Sequence, residues 1–280
     1  MHRPPKHCFA AFVVAIIILI SVGWLKWNSL INTCNVVLPQ TVVYSTATCS
    51  SPTKQYVPRL VLTTSNEKLV DFTENLLRSI EKTKTYPVLI VDAEDETSLR
   101  ALSNHTYPKL HFRNSHDVSK LKLLLEYLQL GLEVFYVNAD AYWFRDPFPY
   151  FEGSFDFALT KDRPRVWNVG LGYYKPTHRT LQFLKRWIEL LETTKGSKEQ
   201  DILNKLLSSR YIPDLKIRLL NSENFPNAGY FFPMYPALEK CRIDTSDTIV
   251  FFAEYIANHT EKKTALQKCK MWINNGTVGF

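Results

Sequence analysis

The sequence predicts an α/β domain with a mostly parallel central sheet, and three observations predict it. Arg59–Thr64 (RLVLTT) is an apolar, β-branched run. A helix with Leu69, Phe72, Thr73, Leu76 and Ile80 on one face separates it from a second such run, Tyr86–Val91, which ends at Asp92. A strand, a helix and a strand at that spacing form a βαβ unit with a right-handed crossover. The unit then recurs in outline. An apolar-periodic stretch over 118–130, with Leu121, Leu124, Leu125 and Leu128 on one stripe, closes on Gly131 and leads into the run Leu132–Val137. That run is broken only by Glu133, as expected of a strand buried on both faces. Finally, Phe155–Thr160 reads as a further strand, and Thr177 caps a helix through Leu191 with Leu181, Leu184, Ile188 and Leu191 as its stripe.

The chain has 280 residues, 45% hydrophobic and 22% charged, within the range of globular proteins. Residues 8–25 carry no charge and are close to the length of about 20 that spans a bilayer. Arg3 and Lys6 precede them, and Lys26 is the one charge between them and Lys54. This asymmetry predicts a cytosolic tail (1–7), an uncleaved signal-anchor helix (8–25), a lumenal stem (26–58) rich in Ser, Thr, Gln and Val, and one lumenal domain (59–280). A cleaved signal peptide fits less well, because Trp24 spoils the small-residue cleavage site. The expected address is a single-pass Golgi or endoplasmic-reticulum membrane protein. Sequons at Asn104, Asn258 and Asn275 agree with a lumenal domain. Cys34, Cys49, Cys241 and Cys269 give an even count for an oxidising compartment, and the expected pairs are Cys34–Cys49 and Cys241–Cys269, each closing a local loop. The net charge of +7 comes without a basic arm or zinc spacing, so no nucleic-acid partner is expected and an anionic small molecule fits the charge better.

The chemistry changes abruptly after Val137. Asn138 and Asp140 place two oxygen-bearing side chains two positions apart at a strand's carboxyl end, where ligands sit in open α/β sheets. Oxygen donors suit Mg²⁺ or Mn²⁺ holding a diphosphate. A polar turn with an Asp cap is the plainer alternative.

The whole stretch Gly131–Phe151, GLEVFYVNADAYWFRDPFPYF, resembles the signature of the nucleotide-diphospho-sugar transferase family, which includes plant pectin xylosyltransferases and extensin arabinosyltransferases. That signature is an apolar strand, an Asp-x-Asp and a Trp-Leu-Arg-Asp-Pro-like segment. Asn138 stands where the family has its first Asp. The resemblance runs on through Asn168-Val169-Gly170 with Pro176-Thr177, through Glu199-Gln200-Asp201, and through Phe225-Pro226-Asn227. At the family's His-Ala-Asn-Tyr this chain has Phe252-Ala253-Glu254-Tyr255, so a second metal ligand is replaced.

The resemblance implies a GT-A-like fold with helices on both sheet faces. It also implies transfer of a sugar from a UDP-sugar to a glycan or protein hydroxyl, with retention assumed from some relatives. The residues it singles out are Asp140, Gln200 and Asp201 for catalysis, and Thr63, Thr64, Lys120, Asn138, Asn168 and Gly170 for the donor. Asp140 with Asn138 would hold Mn²⁺ or Mg²⁺. Each has a structural reading too: Thr63 and Thr64 as helix caps, Lys120 on a solvated face, Asn168 and Gly170 as a turn, Ser197-x-x-Gln200 as a capping box with Asp201 in the first turn. Because of Asn138 and Phe252, two rivals stand beside the metal-assisted enzyme. One is a non-catalytic lumenal binding or scaffold protein with a degenerate transferase fold. The other is a metal-independent transferase using cations such as Arg145, Lys161 or Lys175.

Overall fold

The chain divides into two units, Met1–Gln55 and Tyr56–Phe280. The computed structural model describes residues 58–114, 119–231 and 245–273, all in the second unit. The expected tail, anchor and most of the stem, and the residues Cys34, Cys49, Cys241 and Asn275, lie outside the described residues. No described helix is long and apolar enough to cross a membrane.

β1 (Arg59–Ser65), β2 (Val88–Ala93), β3 (Leu110–Arg113) and β4 (Glu133–Val137) pair in parallel in the order β3-β2-β1-β4. β7 (Val166–Tyr174) pairs antiparallel to β4 and to β6 (Phe157–Arg163), and β8 (Ile217–Leu219) completes the seven-stranded sheet in parallel with β6. The fold is therefore α/β with a mostly parallel sheet, as the sequence indicates. A second, two-stranded sheet joins β5 (Ala141–Trp143) antiparallel to β9 (Val250–Phe252). This small sheet holds the chain just after Asp140 against the chain just before Glu254.

The connecting helices are α1 (Val70–Lys82), α2 (Glu96–Leu102), α3 (Lys120–Gln129), α4 (His178–Thr193), α5 (Glu199–Ser208), the single turn α6 (Ala228–Phe231) and α7 (His259–Lys268). α1 buries Phe72, Leu76, Leu77 and Ile80, close to the expected face. α3 ends as its glycine requires. Gly131 sits at φ 80°, with Gly131 N donating to Leu128 O (3.0 Å) and Leu132 N to Tyr127 O (3.3 Å), a Schellman pair that turns the chain into β4. β4 is buried at every position, with Phe135 among Trp143, Phe151 and Tyr173 in the main core.

Four local expectations are corrected. Asn138 and Asp140 do not share a strand face: β4 stops at Val137, and Ala141 N donates to Asn138 O at 3.1 Å, so Asp140 lies in a turn. Asn168 and Gly170 are not in a turn but inside β7, held between β4 and β6. Ser197 does not cap α5, which starts after Lys198 without a side-chain cap, because Gln200 is committed elsewhere. In α4 the buried stripe is Thr180, Phe183, Leu184 and Trp187, leaving Leu181, Ile188 and Leu191 half-buried. Two aromatic rings bury more area than the leucines beside them, so they set the helix's rotation. Thr177 caps it as expected, its hydroxyl accepting from Thr180 N at 3.1 Å.

Candidate functional site

A cleft of about 540 Å³ opens at the carboxyl ends of β1 and β4. Thr64 lines it from the end of β1, Tyr136 and Asn138 from β4, Ser119 and Lys120 from the start of α3, and Glu199 from the start of α5. The volume is that of an ordinary small-molecule pocket. Thr63 is fully buried and does not line it, since neighbouring strand residues face opposite ways.

The cleft wall is ordered by charge and hydrogen bonding. Lys120 Nζ sits 2.7 Å from Glu199 Oε2 and 5.0 Å above the Tyr136 ring. Burial pulls the Lys120 ammonium down, but Tyr136, Glu199 and Glu254 outweigh it, and the net shift is upward, so the lysine stays charged. Tyr136 Oη donates to Asn138 Oδ1 at 3.1 Å. That bond uses the amide oxygen of Asn138 and leaves its Nδ2 turned to Gly170, where a Cβ would lie 2.8 Å from it.

The same point at Gly170 is ringed by Asn168 Oδ1 (3.1 Å) and Glu254 Oε2 (3.2 Å). Asn168 is fully buried and organises what lies behind. Its Nδ2 bridges two carboxylates, Asp162 Oδ1 at 2.6 Å and Glu254 Oε2, and its Oδ1 accepts from Gly170 N at 2.6 Å. Gln200 Nε2 donates to Asp162 Oδ2 at 2.9 Å, and Asn227 Nδ2 to Asp162 Oδ1 at 3.3 Å. Asn204, one turn on, ties α5 to the main chain of Trp167 (2.8 and 2.9 Å). Burial pushes the Glu254 carboxyl up, Asp162 and Asp140 push it further, and Asn168 pulls it down.

Asp140 is 7% exposed. Lys262 Nζ, from α7, lies 2.5 Å from its Oδ2, and Asp140 Oδ1 is buried without a partner. Asn138 thus lines the pocket with Thr64 and Lys120, while Asn168, Gly170 and Gln200 are not among its lining residues and belong to the hydrogen-bonded network packed against Asn138. Asp201 is exposed in the first turn of α5. Arg145, Lys161 and Lys175 are spent elsewhere: on Thr245 O (3.4 Å), on Pro164 O (3.2 Å) and on Gly153 O (2.6 Å). Asn104 and Asn258 are exposed, and Asn258 caps α7 through Glu261 N at 3.1 Å. Cys269 is disulfide-bonded, and every other cysteine lies outside the described residues.

Sequence reasoning missed Asp162, Tyr136, Glu199 and Lys262 as site residues. Asp162 carried a faint signal, as a carboxylate closing an apolar strand. Lys262 carried none, being 122 residues from its partner.

The donor set does not fit a divalent ion. Such an ion is held through one or two protein carboxylates, with water and substrate phosphate oxygens completing its shell. Here Asp140 has one oxygen held by an ammonium, Asn138 spends its carbonyl on Tyr136, and Phe252 is fully buried between Ala141 and the core. Among the described residues no group of three His, Cys, Asp or Glu side chains could hold a metal.

Residues 118–266 match the model of the family described as nucleotide-diphospho-sugar transferase. The chain belongs to that family. Its relatives include the Arabidopsis thaliana protein named UDP-D-xylose:L-fucose alpha-1,3-D-xylosyltransferase MGP4, 27% identical over 243 residues, covering 72% of this chain and 66% of the relative. Another is UDP-D-xylose:L-fucose alpha-1,3-D-xylosyltransferase 1 from the same plant, 24% identical over 176 residues, covering 54% and 48%. The chain spans from about a third to about two thirds of the length of such curated relatives. Among solved structures, the glycosyltransferase GlyE of Streptococcus pneumoniae TIGR4 superposes with a TM-score of 0.51 at 14% identity, over 70% of this chain and 54% of that one. This places the fold with the GT-A glycosyltransferases.

Proposed function

We propose that the protein is a glycosyltransferase that binds a nucleotide-diphosphate sugar, a UDP-sugar, in the cleft at the ends of β1 and β4 and passes the sugar to a hydroxyl of a glycan or protein. The observation that carries this reading is the convergence of Thr64, Lys120, Tyr136 and Asn138 on one pocket at the carboxyl ends of two parallel strands. Thr64 and Tyr136 form the wall for the nucleotide, and Lys120 meets phosphate as a buried, charged lysine. Gln200, held by Asp162, is the polar group for sugar hydroxyls, with Asp201 beside it, and the buried Asn168 and Gly170 hold the wall behind Asn138. Charge developing on the leaving diphosphate is offset by Lys120, which lines the cleft, in a site where burial strengthens the interaction. Metal assistance through Asp140 and Asn138, implied by the family, requires Lys262 to leave Asp140.

The relatives' names put UDP-D-xylose first among donors to try. A Golgi or endoplasmic-reticulum membrane setting, with residues 8–25 as anchor, Asn104, Asn258 and Asn275 glycosylated and Cys241 paired with Cys269, goes with this reading. The test is calorimetry of UDP and a panel of UDP-sugars against the full chain, followed by release of UDP with and without acceptor. Binding plus turnover supports the proposal. No binding of any nucleotide sugar refutes the transferase reading and favours the non-catalytic scaffold.

A further inference from the structure

The pair Asp140–Lys262 has no role in the fold that an apolar pair would not fill as well. Both side chains are largely buried, at 9% and 15% exposure. A buried ion pair rarely adds stability over well-packed apolar groups. It stands at the most chemically marked point of the chain, in the turn that follows β4, two residues from the cleft-lining Asn138. Asp140 is placed by β5, which is sewn to β9 through Ala141 and Phe252, and by Ala253 N donating to Asp140 O at 3.2 Å. Lys262 is placed by α7, whose first turn is capped by Asn258 and tied to α1 by Lys263 and His259 on Asp71 (2.9 and 3.0 Å). The ammonium also lies 5.7 Å over the Phe72 ring. It is thus fixed by elements on three sides, and Asp140 Oδ1, buried and unpartnered, is left facing no other donor.

We propose that the Lys262 ammonium takes the place a divalent ion has in related sites, so that nucleotide-diphosphate binding needs no metal. This rests on the reading of the cleft as a donor site. An ammonium held against a carboxylate is a fixed positive group with two further N–H donors. It can release one bond to a phosphate oxygen while Asp140 keeps it in position. The two metal-ligand departures, Asn138 and Phe252, are then parts of one arrangement. A neutral amide and a core ring are tolerated because no ion has to be coordinated, and the single remaining carboxylate is matched by a single cation.

The test is calorimetric titration of UDP into the full chain in EDTA, repeated in Mn²⁺, for wild type and three variants. Wild type should bind UDP with dissociation constants within about threefold of one another in the two buffers. Lys262→Ala should lose about tenfold or more in EDTA, and Lys262→Arg should keep most of the affinity. Asp140→Asn is the sharper arm, because it removes the carboxylate isosterically and leaves the ammonium free. Its binding should weaken by less than that of Lys262→Ala and by the same factor in EDTA and in Mn²⁺, whereas a metal-ligand role for Asp140 demands a loss confined to Mn²⁺. Circular dichroism of each variant separates lost binding from lost fold, and Asp140→Asn and Lys262→Arg carry the test if Lys262→Ala unfolds. Wild-type binding that requires Mn²⁺, or an Asp140→Asn loss seen only in Mn²⁺, overturns this inference while leaving the donor site standing. Absence of UDP binding in both buffers overturns the donor site and the inference with it.

Discussion

Asn168→Ala should be the most damaging single change at the site, and its cost should depend on pH. The side chain is fully buried and makes three bonds: two to the carboxylates of Asp162 and Glu254, one from Gly170 N. Bonds to charged groups contribute about 1.5–3 kcal/mol each, and an orphaned donor costs about 1–3, so the loss at neutral pH is on the order of 4–6 kcal/mol. Part of it comes from Glu254, whose folded pKa is raised above its ordinary 4.5 by burial and by Asp162 and Asp140. A raised acid binds more protons in the folded state, so its charge costs nothing at low pH and lowers stability as pH climbs through the folded value. Asn168 opposes that shift. Without it the folded value climbs further, and the destabilisation should be larger at pH 8 than at pH 5. Urea unfolding of wild type and variant at both pH values measures this. A loss below about 1 kcal/mol, or one equal at the two pH values, would refute the bridging role.

Three other outcomes are expected. Gly170→Ala puts a methyl 2.8 Å from Asn138 Nδ2 and 3.2 Å from Glu254 Oε2. It should weaken UDP binding about tenfold and cost about 1–3 kcal/mol, read by calorimetry and thermal melting. Asp156→Ala removes a fully buried carboxylate that accepts from Arg179 Nε (2.8 Å), Thr177 Oγ1 (2.6 Å) and Lys216 N (2.7 Å), and should destabilise by about 3–5 kcal/mol. Those donors overcome burial and depress its pKa, so its stabilisation is complete above the ordinary 3.8 and fades as acid protonates the folded carboxylate; acid unfolding of the variant should lose that limb. Asn138→Asp adds a carboxylate near Asp140 and Glu254; it should lower the melting temperature in EDTA and recover with Mn²⁺, while wild type shows no response to the ion.

What the sequence made legible was what short-range physics decides. β4 and the turn before it follow from an apolar run and one glycine, and Gly131 indeed has the positive φ that only a glycine adopts freely. α1 and its crossover follow from a 3.6-residue stripe. α2 and β3 escaped notice, because one is seven residues long and the other is a four-residue strand half-buried throughout, so neither shows a period. Asn168 and Gly170 read as a turn because their residue types favour turns. Tertiary pairing overrides that preference, with both neighbours of β7 supplying ladder partners. The site itself was legible on one side only. Thr64, Asn138, Asp140 and Gln200 announce themselves by motif, but Asn168 and Glu254 meet across 86 residues and Asp140 and Lys262 across 122, where no local pattern reaches.

The departures at Asn138, Phe252 and Glu254 gain sense when their charges are counted together. A site with two carboxylates and a divalent ion is close to neutral, and one with a single carboxylate and a single ammonium is equally so. Replacing the ion by Lys262 while keeping a second carboxylate at 138 would leave an uncompensated charge in a buried turn, which costs several kcal/mol or is relieved by protonation. Asn138 avoids that and still offers an oxygen to Tyr136. Phe252 has no ion to meet, so it fills the space between β5 and the main core, where it is fully buried. Glu254 adds a further carboxylate to this balance. It is held by the Asn168 amide, while burial together with Asp162 and Asp140 raises its carboxyl above the ordinary value. Lys262 therefore explains in one stroke why neither family ligand position keeps its ligand, and why Asp140, alone of the three, stays acidic.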